Sequence, residues 1–176
     1  MAKWIIDNDH SVVAFSVCHM MIAHVRGQFN RISGVINFDL QDIAGSSVEL
    51  KIDAATIYTG IQKRDEHLRS SDFFDVSIVP EIIFRSTHVD HVKGTRADVT
   101  GDLTLHGITR PITLSTGFTG PVKDPFGDAL SMGFIGSGII NRKDFGMEWN
   151  QLMADNGIML GWDVELFIDL EADQAM

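Results

Sequence analysis

The residues best suited to chemistry in this sequence are seven histidines, one cysteine and scattered carboxylates. His88 and His91 are three positions apart, and because side chains alternate along a strand this spacing sends them to opposite faces. His10 and His19, nine positions apart, diverge for the same reason. There is no His-Glu-x-x-His sequence, cysteine cluster or facial-triad pattern. The sequence therefore predicts neither a metal site nor a cofactor.

Nucleophilic catalysis is equally poorly supported by the sequence. There is no Gly-x-Ser-x-Gly elbow, and Cys18 alternates with Val17 and His19, whose side chains point away from it. Asp72 and Asp75 form a close carboxylate pair, but they flank an aromatic segment and are typical of helix caps or solvated loop residues. We therefore expect a protein that is not an enzyme.

A short helix around residues 61–70 is the main interruption in a chain that otherwise reads as strands. Ile61, Asp65 and Leu68 recur at helical spacing beside a charged face, and the period ends before Phe73 and Phe74. In an irregular loop, adjacent aromatic side chains can wedge together into one apolar lid. We interpret this segment as a plug that closes one end of a structure built from strands; the alternative is a plain connection that pads the core.

The remaining sequence alternates between apolar and polar residues in the manner of half-buried strands. The segments with this pattern are 10–19, 34–39, 47–57, 80–86, 96–106, 110–119, 131–141 and 161–171. Residues 20–26 lose the rhythm, which suggests a helical turn. About eight such strands predict an all-β, mainly antiparallel protein. Glycines inside the strands, such as Gly101, favour a barrel over a sandwich, because tight curvature needs bulges and glycine kinks.

Composition and charge limit the partners. The 176 residues fit a single domain, 1–176, and the formal net charge of −10 argues against nucleic acid and anionic membrane surfaces. No run of 18 apolar residues is present, so no integral membrane segment is expected. The N-terminal residues lack the apolar stretch of a signal peptide. As written, the chain is expected in the cytoplasm. If a leader has been removed from the sequence, the expected location is the periplasm.

Seven short motifs occur in order along nearly the whole chain, and each is weak alone. They are Trp4-x-Ile6-Asp7-x-x-His10-Ser11-x-Val13-x-Phe15-x-Val17-x-His19, Val25-Arg26-Gly27-x-Phe29, Gly34-x-Ile36-x-Phe38-Asp39, Thr59-Gly60-x-x-x-Arg64-Asp65-x-His67-Leu68-x-Ser70-x-Asp72-Phe73-Phe74-Asp75, Pro80-x-Ile82-x-Phe84-x-Ser86-Thr87, Gly101-x-Leu103-Thr104-x-His106-Gly107 and Asn141-Arg142-x-Asp144-Phe145-Gly146. Together they resemble the YceI-like family of lipocalin-like, polyisoprenoid-binding proteins. The resemblance implies an extended eight-stranded lipocalin-like barrel with a helical insertion. It also implies a tunnel for a linear isoprenoid lipid, such as a polyprenyl diphosphate or a quinone tail, and often a homodimer.

On this basis we expect transport, sequestration or sensing of an isoprenoid lipid, with the lipid as ligand and no cofactor. Apolar residues predicted to line the tunnel are Phe15, Val17, Phe29, Ile36, Phe38, Ile52, Phe84, Leu103 and Leu105. Residues predicted to shape the entrance are Met20, Met21, Leu68, Phe73, Phe74 and Trp149, and candidate head-group donors are His19, Arg64, His67 and Arg142. For Arg64 and Arg142 an ion pair with a nearby carboxylate is an equal alternative. Two other functions stay open: a solid-cored structural or stress-response module, and an enzyme acting on a lipid at the mouth.

Overall fold

The barrel is closed by its first and last strands, which pair along nearly their whole length. A computed structural model describes residues 1–125, 129–154 and 156–175. The strands are β1 (Ala2–His19), β2 (Ala23–Phe29), β3 (Ile32–Phe38), β4 (Ser47–Asp53), β5 (Ile57–Tyr58), β6 (Glu81–Lys93), β7 (Arg96–Leu105), β8 (Ile108–Lys123), β9 (Leu130–Asn141) and β10 (Leu160–Gln174), and the α-helix is α1 (Gln62–Arg69). The closed ring runs β1-β3-β4-β6-β7-β8-β9-β10 and returns to β1, with every pair antiparallel. The predicted eight-stranded antiparallel barrel with one short helix is therefore confirmed.

The long strand β1 pairs with two different strands along the same edge. Its N-terminal residues pair with β3, and residues 13–19 pair with β2, which in turn pairs with the short β5. Two local predictions were wrong. Residues 20–26 do not form a helical turn, because only 20–22 turn before β2 begins. The strand predicted over 47–57 ends at Asp53, whose carboxylate accepts the backbone N–H of Ala55 and starts one turn of 3₁₀-helix.

Alternation along the strands places the apolar side chains in the barrel interior. On β4, Leu50 and Ile52 are buried while Lys51 is exposed, and on β6 Ile82 and Phe84 are buried while Arg85 is exposed. Burying each large apolar side chain stabilises the fold by about 1.5–3 kcal/mol. The interior is therefore the hydrophobic core as well as the only place for a bore. The one α-helix in the described ranges, α1, is far too short and polar to cross a bilayer.

The candidate ligand-binding bore

The barrel interior contains two apolar chambers, one toward each end. The first, of about 130 Å³, lies beneath α1 and is lined by Val13, Phe15, Val17, Phe29, Leu50, Ile52, Leu68, Phe73, Phe74, Ile82, Phe84, Leu103, Leu105, Ile112, Leu114, Ile140, Arg142, Met147, Leu160, Val164, Leu166 and Ile168. The second, of about 100 Å³, is lined by Ile36, Phe38, Ile43, Ser46, Ser47, Val48, Leu50, Phe84, Val89, Ala97, Val99, Leu114, Thr116, Gly117, Phe118, Phe134, Ile135, Gly136, Ile168 and Leu170. Apolar cavities of this size hold small hydrocarbons such as benzene.

A waist separates the chambers. Leu50, Phe84, Leu114 and Ile168 line both, so they stand between them. The ring of Phe84 lies against Gly101 of the neighbouring strand, where an added Cβ would approach its Cζ to 2.6 Å. A bulge does occur next to Gly101, but its extra residue is on the partner strand β6 and not on the strand that carries the glycine. The absent side chain at Gly101 thus lets the largest waist residue lie along the wall.

All nine residues predicted to line the tunnel face the chambers, and three of the four predicted head-group donors do not. Residues on the first chamber are Phe15, Val17, Phe29, Ile52, Leu68, Phe73, Phe74, Leu103, Leu105 and Arg142; residues on the second are Ile36 and Phe38; Phe84 faces both. Residues outside both linings are His19, Met20, Met21, Arg64, His67 and Trp149. Met20 and Met21 form the exposed turn before β2.

The helix α1 is fastened to the preceding loop by charged side chains rather than by an N-cap. The buried carboxylate of Asp65 accepts the backbone N–H of Thr59 at 2.9 Å and its hydroxyl at 2.5 Å. Arg64 donates to the hydroxyl and carbonyl oxygens of Thr59 at 2.7 and 2.8 Å. Arg69 donates to the carbonyls of Ala55 and Ile57. Arg64 therefore forms hydrogen bonds that hold α1 in place, and not the ion pair that was the alternative expectation.

Two aromatic groups complete the closed end beneath and beside α1. Phe73 packs with Trp149 and with His67, at centroid separations of 5.3 and 5.1 Å. Phe74 instead packs edge-on against Phe29, at 5.6 Å. The two adjacent phenylalanines thus have different aromatic partners, and both line the first chamber. That they act together as a plug stays a prediction.

Among the described residues, Arg142 is the one charged residue on the lining of the first chamber, and its donors are turned away from the chamber. The guanidinium is buried, and it donates to the carbonyls of Met147 at 2.6 Å, Trp149 at 2.9 Å, Gly161 at 2.9 Å and Leu160 at 3.2 Å. It does not pair with Asp144. Burial lowers the pKa of Arg142 to about 10, so the group stays charged at neutral pH. Arg142 thus joins the backbone of residues 147–149 to the start of β10, and it presents mainly carbon atoms to the chamber.

Replacing Asp65 with alanine is expected to loosen the attachment of α1 to the loop before it. The change leaves the N–H of Thr59 without its acceptor, a loss of about 1.5–3 kcal/mol for a hydrogen bond to a charged group. Amide hydrogen exchange over residues 62–69 should then accelerate roughly 10- to 100-fold, because opening becomes easier by that energy. Glu66→Ala is the matched control, since Glu66 is exposed and bonds only Gln62. Equal exchange in the two variants would contradict this role for Asp65.

Part of the lining had no individual signal in the sequence. Met147 and Leu160 bracket an irregular segment without periodicity, and both face the first chamber. The second chamber was not expected as a separate space. Its residues follow the same alternation as those of the first, so the pattern could identify inward positions but not where the space between them narrows.

The fold is a closed eight-stranded antiparallel barrel with one short helix and an apolar interior. The YceI-like domain family matches residues 4–172, and this chain belongs to that family. A UPF0312 protein of Vibrio cholerae is 37% identical over 170 residues, covering 96% of this chain and 86% of that protein.

Two solved structures share the fold at low sequence identity. The crystal structure of Burkholderia cenocepacia BcnA matches with a TM-score of 0.83 at 22% identity, over 94% of this chain and 98% of that one. A polyisoprenoid binding domain from Saccharophagus degradans matches with a TM-score of 0.69 at 16% identity, over 99% and 100%. At these identities the likeness concerns the fold alone.

Proposed function

We propose that this protein binds a linear isoprenoid lipid, such as a polyprenyl diphosphate or a quinone tail, inside the barrel, and that it transports or sequesters the lipid as a homodimer without transforming it. The observation that carries the proposal is the pair of apolar chambers in one closed barrel. Membership of the YceI-like family supports it, as does the shared fold of the polyisoprenoid binding domain of Saccharophagus degradans.

The energetics favour a long apolar chain. Each methylene-sized group transferred from water contributes about 0.8 kcal/mol, so roughly 20 carbons contribute about 16 kcal/mol before costs. Lost overall motion and ordering of the flexible chain offset much of this, by about 4–15 kcal/mol in total. The net binding free energy is then at most about 12 kcal/mol, which corresponds to a nanomolar dissociation constant. A greasy lining discriminates poorly between chains that differ by one methylene.

The length of the ligand determines whether the side chains of the waist must move. Each chamber alone is of the size that holds a small hydrocarbon, so a chain of several isoprene units has to thread both. Such a ligand would displace Phe84, Leu114 or Ile168 from the waist. We therefore expect a ligand-bound protein to differ from this structure chiefly in these side chains.

The polar head group would lie outside the chambers, at the end that α1 covers. Arg64 and Arg142 already donate to backbone oxygens, which leaves His67 and His19 as the nearest of the predicted donors. The Nε2 atom of His67 lies 2.8 Å from a carboxylate oxygen of Asp72, and its ring packs on Trp149. An anionic head group could compete with Asp72 for this nitrogen.

Native mass spectrometry of the purified protein tests the proposal in one measurement. We expect a dimer carrying about one lipid per chain, and an organic-solvent extract that contains a prenyl chain. The delipidated protein should take up added geranylgeranyl diphosphate and release it unchanged. Lipid-free protein that also fails to take up this probe would refute binding, and a transformed probe would refute a non-catalytic role. In the latter case His19→Ala and His67→Ala should abolish turnover.

A further inference from the structure

A cluster of chemically active side chains outside the linings of both chambers lies where β1 pairs with β10. Asp7 pairs with Glu171 and Val12 pairs with Asp169, so five steps along β1 are matched by two along β10. The surplus residues of β1 form a bulge. Asp7, His10 and Glu171 converge there, with one ligand atom from each lying within 4.8 Å of the others.

The bulge is held in a defined conformation by its own polar groups. The Ser11 hydroxyl donates to the carbonyl of Glu171 at 3.3 Å and accepts its N–H at 3.1 Å. The Asn8 side chain accepts the N–H of Ile32 on β3 at 2.7 Å. One oxygen of Asp7 accepts the N–H of Asp9, while the other lies 2.6 Å from Nδ1 of His10. The three converging side chains are therefore presented by a fixed backbone.

We propose that Asp7, His10 and Glu171 bind a divalent transition-metal ion, with Zn²⁺ as the best-fitting probe, and that the ion clips β1 to β10 at the barrel seam. One imidazole nitrogen and two carboxylate oxygens are ligand types that Zn²⁺ accepts, with bonds of about 2.0–2.2 Å. Around a tetrahedral ion such ligand atoms stand about 3.4 Å apart. Small rotations of the side chains reach that arrangement, and water completes the coordination.

The charges around His10 favour a cation at this point. The carboxylates of Asp7 and Glu171 both lie within 4.8 Å of a ring nitrogen of His10, and Asp9 adds a third acidic residue to the same bulge. The two carboxylates therefore supply the negative charge that a divalent ion needs.

The chain contains its own matched control. His88, which is as exposed as His10, pairs with the more exposed Asp90 at 2.9 Å, and His67 pairs with Asp72 at 2.8 Å. Within the described parts of the chain, only the pair at the seam has a second carboxylate in range. A surface His–Asp pair alone therefore cannot account for a difference between His10 and His88.

Calorimetric titration of chelator-treated protein with Zn²⁺ tests the site. We expect wild type and His88→Ala to bind one ion with equal affinity, and His10→Ala and Glu171→Gln each to bind at least tenfold more weakly. Zn²⁺ should raise the Tm of wild type and not that of His10→Ala, and circular dichroism of the variants should match wild type. Absence of binding, or an equal loss in His88→Ala, would overturn the proposal.

Discussion

Replacing Arg142 with methionine is expected to lower the free energy of unfolding by about 3–5 kcal/mol, the usual cost of removing one partner from a buried charged network. Methionine keeps much of the aliphatic volume but has no donor. Four carbonyls, those of Met147, Trp149, Leu160 and Gly161, then lose their partner at once. The measurement is urea denaturation followed by tryptophan fluorescence, with Trp149 and Trp162 close to the change.

Two further variants separate this role from the simple loss of a positive charge. Lys143→Met removes the neighbouring exposed cation, which lies 4.9 Å above the same Trp162 ring that Arg142 covers. We expect it to cost less than about 1 kcal/mol, the size of an exposed cation–π contact. Arg142→Lys keeps the charge but cannot span four carbonyls, so it should resemble methionine more than wild type. Full stability in Arg142→Lys would show that charge alone, and not the forked geometry, is what the site requires.

Replacing Ile140 with tryptophan is expected to abolish uptake of a prenyl probe. Ile140 lines only the first chamber, and the larger ring would occupy the space that the ligand needs. Each methylene excluded from the bore removes about 0.8 kcal/mol, so excluding four weakens binding by about 100-fold or more. The measurement is the dissociation constant for geranylgeranyl diphosphate. Overpacking costs about 1–3 kcal/mol of stability, so the Tm is recorded beside it.

The adjacent residue provides the control, and the second chamber provides the length test. Ile139 is 67% exposed on the outer face of the same strand, so Ile139→Trp should bind as wild type does. Val99 lines only the second chamber, so Val99→Phe should still bind a geranyl chain while losing affinity for longer prenyl chains. Equal binding by the Ile140 and Ile139 variants would place the ligand outside the barrel. A uniform loss in Val99→Phe would contradict threading through the waist.

Local sequence patterns predicted the helix and most strands of the barrel, but not β2, where a helical turn was expected, nor the short β5. The alternation in β4 and β6 records directly which side chains face inward, because successive residues of a strand point to opposite faces. The helix was predicted within one residue at each end. The turn at residues 20–22 was misjudged because two exposed methionines there resemble a buried helical stripe.

The sequence by itself determined about eight half-buried strands and one short helix, because those features follow from local periodicity. Closure into a barrel was favoured by glycines inside the strands and was implied by the resemblance to the YceI-like family. Only the tertiary structure decided that the interior is divided at Phe84, that Arg142 serves backbone carbonyls instead of a head group, and that Glu171 meets Asp7 and His10. Each of these depends on residues far apart in the chain. Strand register and barrel closure bring these residues together, and the spacing of residues within one segment carries no information about contacts between distant segments.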